Sequence, residues 1–397
     1  MTRYQSWILT DIVRDLWQDT FAVAGDSLDL HTPHGWSIRK RTLRGGLRDG
    51  VDAVEVHNGA LSFTVLPTRG MGIWRGHYHG LFLGWHAPVL GPIHPSHVNL
   101  ARRNGLGWLD GFDELLCRCG LASNGPPGED VHTDKAGRTQ REKLTLHGRI
   151  ANQPAHYVEA RLNLDPPHEL SVIGQVDEGG LFSPHLRLTT TLTTAPGSNR
   201  VVIHDVVENR GGTPAEMQLL YHLNVGPPLL EAGSRVLVPL REMAPRDPCA
   251  AEGVSTWDTY PAPAPGFAEQ CYYCDLAADA RGHTLAMLQN RGVDKALVVR
   301  MNHRELPCFT VWRNTAALED GYVTGFEPGT NYPNLRTFER QQCRVPVLPP
   351  GGRWECKWSL EVHDTAAAVG AVQSEIAMLQ AHAPAVVHGK PAARFSP

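Results

Sequence analysis

Apolar and polar residues alternate with a period of two along much of this chain. The runs are short: "ALSFTVLP" (60–67), "HLRLTTTLTT" (185–194), "RVVIHDVVENR" (200–210), "ALVVRM" (296–301), "CFTVWRN" (308–314) and "RWECKWSLEVHD" (353–364). A period of two places alternate side chains on opposite faces, which is the signature of a β-strand. Turn clusters such as "PTRGMG", "APGSN", "NRGGTP" and "LPPGGR" punctuate the runs. Many short strands with regular turns predict an all-β fold, a large antiparallel sandwich or barrel. The clearest hairpin joins residues 185–194 to 200–210 through a Gly-Ser-Asn turn. Helical spacing is rare. It is strongest at 365–383, "TAAAVGAVQSEIAMLQAHA", where Thr365 is a natural N-cap. Ile8, Ile12, Val13 and Leu16 predict a second, short amphipathic helix within the first 20 residues. The last residues, "APAVVHGKPAARFSP", read as a frayed tail. These signals divide the chain into an N-terminal extension (1–45), one β domain (46–364) and a C-terminal helix and tail (365–397).

Composition narrows the class. The 397 residues carry a net charge of −4, and no basic tract favours nucleic acid or an anionic membrane. No window is apolar for about 18 residues, so no membrane span is expected. The start lacks the apolar core of a secretory leader. A chain this long needs no disulfide framework, so its eight cysteines read as reduced thiols and the location as cytoplasmic. Cys271 and Cys274 form one CxxC, but its nearest companions, Cys117 and Cys119, lie far upstream as CxC. Buried free thiols are the better reading, and no metal site is expected.

The chemistry-bearing residues gather where strand-like runs meet turns. No phosphate-binding Gly loop, GxSxG elbow or HExxH is present. What remains is "LTLHGRIANQP" (144–154) with His147 and Arg149, "MQLLYHLNVGPPLL" (217–230) with Tyr221, His222 and Asn224, and "GYVTGFEPGTNYPN" (321–334) with Glu327. "LPTRGMGIW" adds Arg69, and "APRDP" adds Arg246 and Asp247. Taken singly, a histidine after an apolar run or a glutamate before Pro-Gly reads as packing or a turn charge. Taken together, two His motifs and one Glu motif, each ending a strand, can meet in one cleft.

The ordered set "LHGRIAN", "YHLN" and "FEPGTNYPN" resembles the galactose mutarotase (aldose 1-epimerase) superfamily over about residues 50–362. The blocks "LPTRGMGIW", "GWHAPVLGPIHP" and "GLGWLDGFDELLCRCGL" resemble a less characterised branch of it. The resemblance implies an antiparallel β-supersandwich with a sugar cleft on its concave face. It implies His222 as general acid, Glu327 as general base and His147 as a contact near the ring oxygen. Arg69, Arg149, Asp247, Asn224, Trp108 and Arg118 follow as expected sugar contacts. Arg149 after the His-Gly pair and the Trp108–Cys119 block depart from ordinary members and bear on the substrate rather than the fold.

Anomer exchange needs one acid and one base across the C1–O5 bond and no cofactor. An ionised Glu327 would take the O1 proton and an imidazolium at His222 would give one to O5. Trp74, Trp85 and Trp108 are candidates to stack on the sugar. Arg69, Arg118 and Arg149 are many for a neutral hexose and suggest an acidic or modified sugar. The alternatives are a lyase or glycoside hydrolase, with Asp247 or Glu114 opposite Glu327, and a non-catalytic carbohydrate-binding protein. The expected partner is a small sugar; the sequence leaves oligomeric state open, a homodimer included.

Overall fold

The alternating runs form two large sheets packed face to face. The structure, a computed structural model, describes residues 3–28, 32, 34–133, 138–381 and 384–397. Among the described residues one sheet has ten strands and the other thirteen. The expected hairpin is the Leu186–Thr194 and Arg200–Asn209 pair of the ten-stranded sheet, in register from Leu186–Asn209 to Thr193–Val202. In its first strand buried and half-buried residues alternate without a break, because one face meets the other sheet and one meets water. Leu188, Leu192, Ile203 and Val207 pack between the sheets with Leu219, Tyr221 and Leu223.

The thirteen-stranded sheet behaves differently at its centre. Leu116–Leu121, Gln218–Val225 and Val323–Gly329 are buried at every position. One face meets the inter-sheet core. The other lies beneath a separate apolar cluster, in which Trp85, Trp108 and Phe112 cover Cys117, Cys119 and Leu220.

Both chain ends differ from expectation. The predicted N-terminal helix is a strand, Tyr4–Asp11, paired antiparallel with Tyr157–Asn163. Ile12 and Val13, two of the four residues that suggested helical spacing, are 67% and 89% exposed in the following turn. The pull of an open sheet edge outweighs a weak local period. The segment read as an extension is therefore part of the sandwich, since Thr20–Ala24 and Ser37–Thr42 also extend the thirteen-stranded sheet. At the other end, Ala366–Gln380 is helical and the Thr365 side chain accepts from the Ala368 amide; residues 382–383 of the predicted span lie outside the described residues. The tail is not frayed. Val386–Val387 pairs with Leu240–Pro245, and Phe395 is fully buried against Tyr273 and Tyr332. Among the described residues, no helix is long and apolar enough to cross a membrane.

Candidate active site

Strand parity builds the site. On the Gln218–Val225 strand, Tyr221 points into the inter-sheet core, so His222 points to the outer face. The neighbouring register pairs His222 with Cys117 and Leu220 with Cys119. On the other side, Leu223 pairs with Phe326 and Asn224 with Gly325, which brings Glu327 beside His222. The ladder is interrupted there and resumes at Leu220–Gly329, since Pro328 has no N–H to donate. The next strand, Cys308–Asn314, sets Thr310 opposite Glu327 and Trp312 opposite Gly325. His222 and Glu327 thus sit within strands, not at strand ends, and Pro328 and Gly329 belong to the strand rather than to a turn.

His222 Nε2 lies 3.2 Å from Glu327 Oε1. His222 Nδ1 faces Asn224 Oδ1 at 2.5 Å. Asn224 Nδ2 donates to the carbonyls of Glu114 and His222 at 2.9 and 3.1 Å, so its oxygen end must accept and His222 Nδ1 carries the proton. The lone pair of Nε2 is left facing Glu327. Burial pushes the Glu327 carboxyl up to about 8, with the His147 charge pulling the other way. Burial and the His147 charge hold His222 down to about 3, against the Asn224 bond. Both shifts favour the proton on the carboxyl over the expected ionised Glu327 and protonated His222, because a low-dielectric pocket favours the neutral pair.

Aromatic rings wall the pair. Phe112 and Trp312 lie 5.0 and 5.3 Å from His222 between ring centres, and His147 lies 5.4 Å away. Trp108 packs edge-on against His147 at 4.7 Å. Two polar atoms here have no partner among the described residues: the Trp108 Nε1 donor and the Thr310 hydroxyl. Such atoms also occur elsewhere in the protein, as at Trp36 Nε1 and Trp358 Nε1, but these two lie beside the pair and are open to a ligand oxygen. Gly325 keeps the floor clear. A Cβ there would come within 2.9 Å of Glu327 Oε1 and 3.1 Å of His222 Cε1.

The expected sugar contacts divide. His147, His222, Asn224, Trp108 and Glu327 converge. Arg69 does not: it is buried in an ion pair with Glu114 and donates to Ile93 O, Gly111 O and Asn152. Nor does Arg118, which lies between the sheets against Asp205. Its position between Cys117 and Cys119 dictates this, because neighbours in a strand face opposite ways. Arg149 is exposed and lines a separate surface groove of about 570 Å³ with Lys143 and Glu178. Asp247 caps the Pro248–Glu252 helix through Ala250 N (2.9 Å) and holds Arg246 (2.8 Å). Trp74 lies in another cluster, and Trp85 packs on Phe112 and donates to the Glu114 carbonyl that also accepts from Asn224, without facing the pair itself. Cys271 accepts from Arg246 at 3.2 Å, whereas Cys274 belongs to the inter-sheet core. Among the described residues no group of three or more His, Cys, Asp or Glu could hold a metal.

Four site residues escaped the sequence. Phe112, Trp312 and Cys119 look like ordinary strand or loop hydrophobes. Glu269 is the fourth: it accepts from Trp312 Nε1 at 2.6 Å and from Arg246 at 3.0 Å. The parity of "CRC" and "CFTVW" relative to buried strands was the signal that could have found Cys119 and Trp312; Phe112, in the loop before Leu116–Leu121, carried none.

Comparison with known proteins fits this geometry. Residues 48–362 match the family described as "Domain of unknown function (DUF4432)". The chain belongs to this family. A solved structure of a proposed aldose 1-epimerase from Klebsiella pneumoniae subsp. pneumoniae superposes with a TM-score of 0.91 at 35% identity, covering 97% of this chain and 98% of that one. A galactose mutarotase-like protein from Clostridium acetobutylicum gives 0.56 at 13% identity over 83% of this chain and 98% of that one. Galactose 1-epimerase from Lactobacillus acidophilus gives 0.52 at 11% over 87% and 99%. The last two speak for the fold alone. No functionally curated protein matches in sequence. The DUF4432 chain thus has the galactose mutarotase-like sandwich, with few helices and one of them near the C-terminus.

Proposed function

We propose that this protein exchanges the anomers of an aldose, without a cofactor, through His222 and Glu327. The observation that carries this reading is the 3.2 Å His222–Glu327 contact. It is a pair that holds one proton, with its tautomer fixed by Asn224 and unpartnered polar atoms beside it. Ring opening removes the O1 proton and delivers one to O5. The pair supplies one base and one acid whichever member holds the proton at rest. When sugar oxygens enter between the two, their hydrogen bonds replace lost water and stabilise the charged forms. The aldehyde then turns about C1–C2, and reversal of both transfers closes the ring on the other face. The Trp108 indole N–H and the Thr310 hydroxyl bind sugar hydroxyls, and the surrounding rings contact its apolar face.

An acidic or modified sugar is the finer reading. Arg69 and Arg118 are committed elsewhere and Arg149 lines a separate groove, so none of the three arginines that suggested an anionic group stands beside the pair. A hydrolase would need a second free carboxylate, but Asp247 and Glu114 are both engaged by the fold. The test is exchange NMR of wild-type protein on a panel of neutral and acidic aldoses. Faster anomer exchange on at least one sugar is expected. Binding without exchange would replace the enzyme reading with a carbohydrate-binding one, and equal action on neutral and acidic sugars would remove the acidic-sugar reading.

A further inference from the structure

Strand parity carries the outer face beyond Glu327. Residues paired across a ladder point the same way. Trp312, which walls His222, is paired with Cys271, and Thr310, opposite Glu327, is paired with Tyr273. Arg246 extends the row of Trp312 and Cys271, since its backbone N–H donates to the Cys271 carbonyl at 2.9 Å. Its side chain lies on the same face, where Nη1 donates to Cys271 Sγ at 3.2 Å. Cys271 stands two strand spacings from the Glu327 strand, roughly 10 Å. One sugar unit with its hydroxyls spans that gap, and the unpartnered Thr310 hydroxyl lies along it.

The far end of this row is built, not loose. Arg246 Nε donates to Asp247 at 2.8 Å and Nη2 donates to Glu269 at 3.0 Å. Asp247 is itself fixed as the cap of the Pro248–Glu252 helix. The second Glu269 oxygen accepts from Trp312 Nε1 at 2.6 Å. One carboxylate therefore sets both the guanidinium and the ring that meets His222 at 5.3 Å between centres. A guanidinium has five N–H groups, and the three side-chain bonds use three of them. The others have no partner among the described residues, on a side chain 31% exposed. The charge of Arg246 is met by Asp247 and Glu269, so these spare donors suit a hydroxyl rather than an anion at this end.

We propose that Arg246 holds a hydroxyl of the sugar at the end away from C1, and that Glu269 is a positioning residue that fixes Arg246 and Trp312 as one unit. This deepens the aldose reading of the site and rests on it. Arg246 makes only hydrogen bonds here, and the proton transfers stay with His222 and Glu327.

Saturation-transfer and exchange NMR compare wild type, R246M, E269A and E269Q on the best aldose of the panel and on its monodeoxy analogues. Wild type should discriminate against one analogue by about 10- to 150-fold, in binding and in kcat/KM, the worth of a hydrogen bond to a charged group. R246M should treat parent and analogue alike. E269A should lose most of the discrimination, and E269Q, with one amide oxygen for two donors, should keep part of it. A merely structural role would weaken parent and analogue equally and leave their ratio intact. Thermal melts check folding; if R246M does not fold, E269A decides, because Glu269 is half exposed. Discrimination that survives in R246M, or in a folded E269A, overturns the proposal, as does its absence in wild type. Discriminating binding without exchange overturns the acid–base reading and leaves the Arg246 contact standing. Wild type that neither binds nor exchanges any aldose overturns both.

Discussion

Tyr221 and His222 are adjacent residues that serve opposite faces of one sheet. On the inner face, Arg118 places its five N–H donors on Asp205, Thr190, Met71 O and Gly70 O, and the Tyr221 hydroxyl completes Asp205 at 2.8 Å. On the outer face, His222 and Glu327 are equally buried, but Trp108 Nε1 and the Thr310 hydroxyl beside them have no partner among the described residues. Burial alone does not separate a structural polar network from a functional one. The two polar clusters differ in how they are filled: every donor of Arg118 is used, although Trp358 Nε1 beside Tyr221 also lacks a partner among the described residues, whereas two polar atoms next to the His222–Glu327 pair are unused.

The comparison is most sharply tested by damaging the inner face. Arg118→Ala strands the buried Asp205 and should cost about 3–5 kcal/mol of stability, read by chemical denaturation. A loss below about 1 kcal/mol would mean that the inner network is not structural in this sense. Next, Asn224→Ala frees the His222 tautomer. A lost buried bond of about 1–3 kcal/mol corresponds to a roughly 5- to 150-fold slower exchange, with a smaller change in sugar affinity. An unchanged rate would show that Asn224 does not hold the ring. Trp108→Phe keeps an aromatic ring and removes the spare donor. Its expected effect is weaker sugar binding by about 0.5–1.5 kcal/mol with stability unchanged, measured by titration calorimetry. Unaltered affinity would remove the indole from the sugar contacts.

A further test is stability against pH. Glu327 has its folded pKa raised to about 8, so its contribution is fully present below the ordinary carboxylate value near 4.3 and is lost as pH rises through 8. His222 is depressed, so its contribution is present above about 6.5 and lost as pH falls through 3. Glu327→Gln should therefore gain stability relative to wild type between about pH 5 and pH 8. A constant difference across that range would contradict the raised carboxyl.

The sequence disclosed what is local or periodic. Alternation revealed the sandwich and its best hairpin, and Thr365 marked the start of the C-terminal helix. His147, His222 and Glu327 were found by resemblance and by their common setting after apolar runs. The destinations of Arg69 and Arg118 were not legible, because their carboxylate partners, Glu114 and Asp205, are fixed by long-range strand pairing. The Tyr4–Asp11 strand was missed for a related reason: its partner, Tyr157–Asn163, lies about 150 residues away. Phe395 looked like part of a loose tail because the pocket that buries it is assembled from four distant segments, at Ala244, Tyr273, Cys308 and Tyr332.

The central claim is that His222 and Glu327 are the acid–base pair. Anomer exchange by NMR, with wild type, Glu327→Gln and His222→Asn compared on the best sugar of the panel, tests it most directly. Each substitution should slow exchange by about 10²–10⁴-fold while the thermal melt stays cooperative and sugar binding persists. Exchange at the wild-type rate in either folded variant would contradict it.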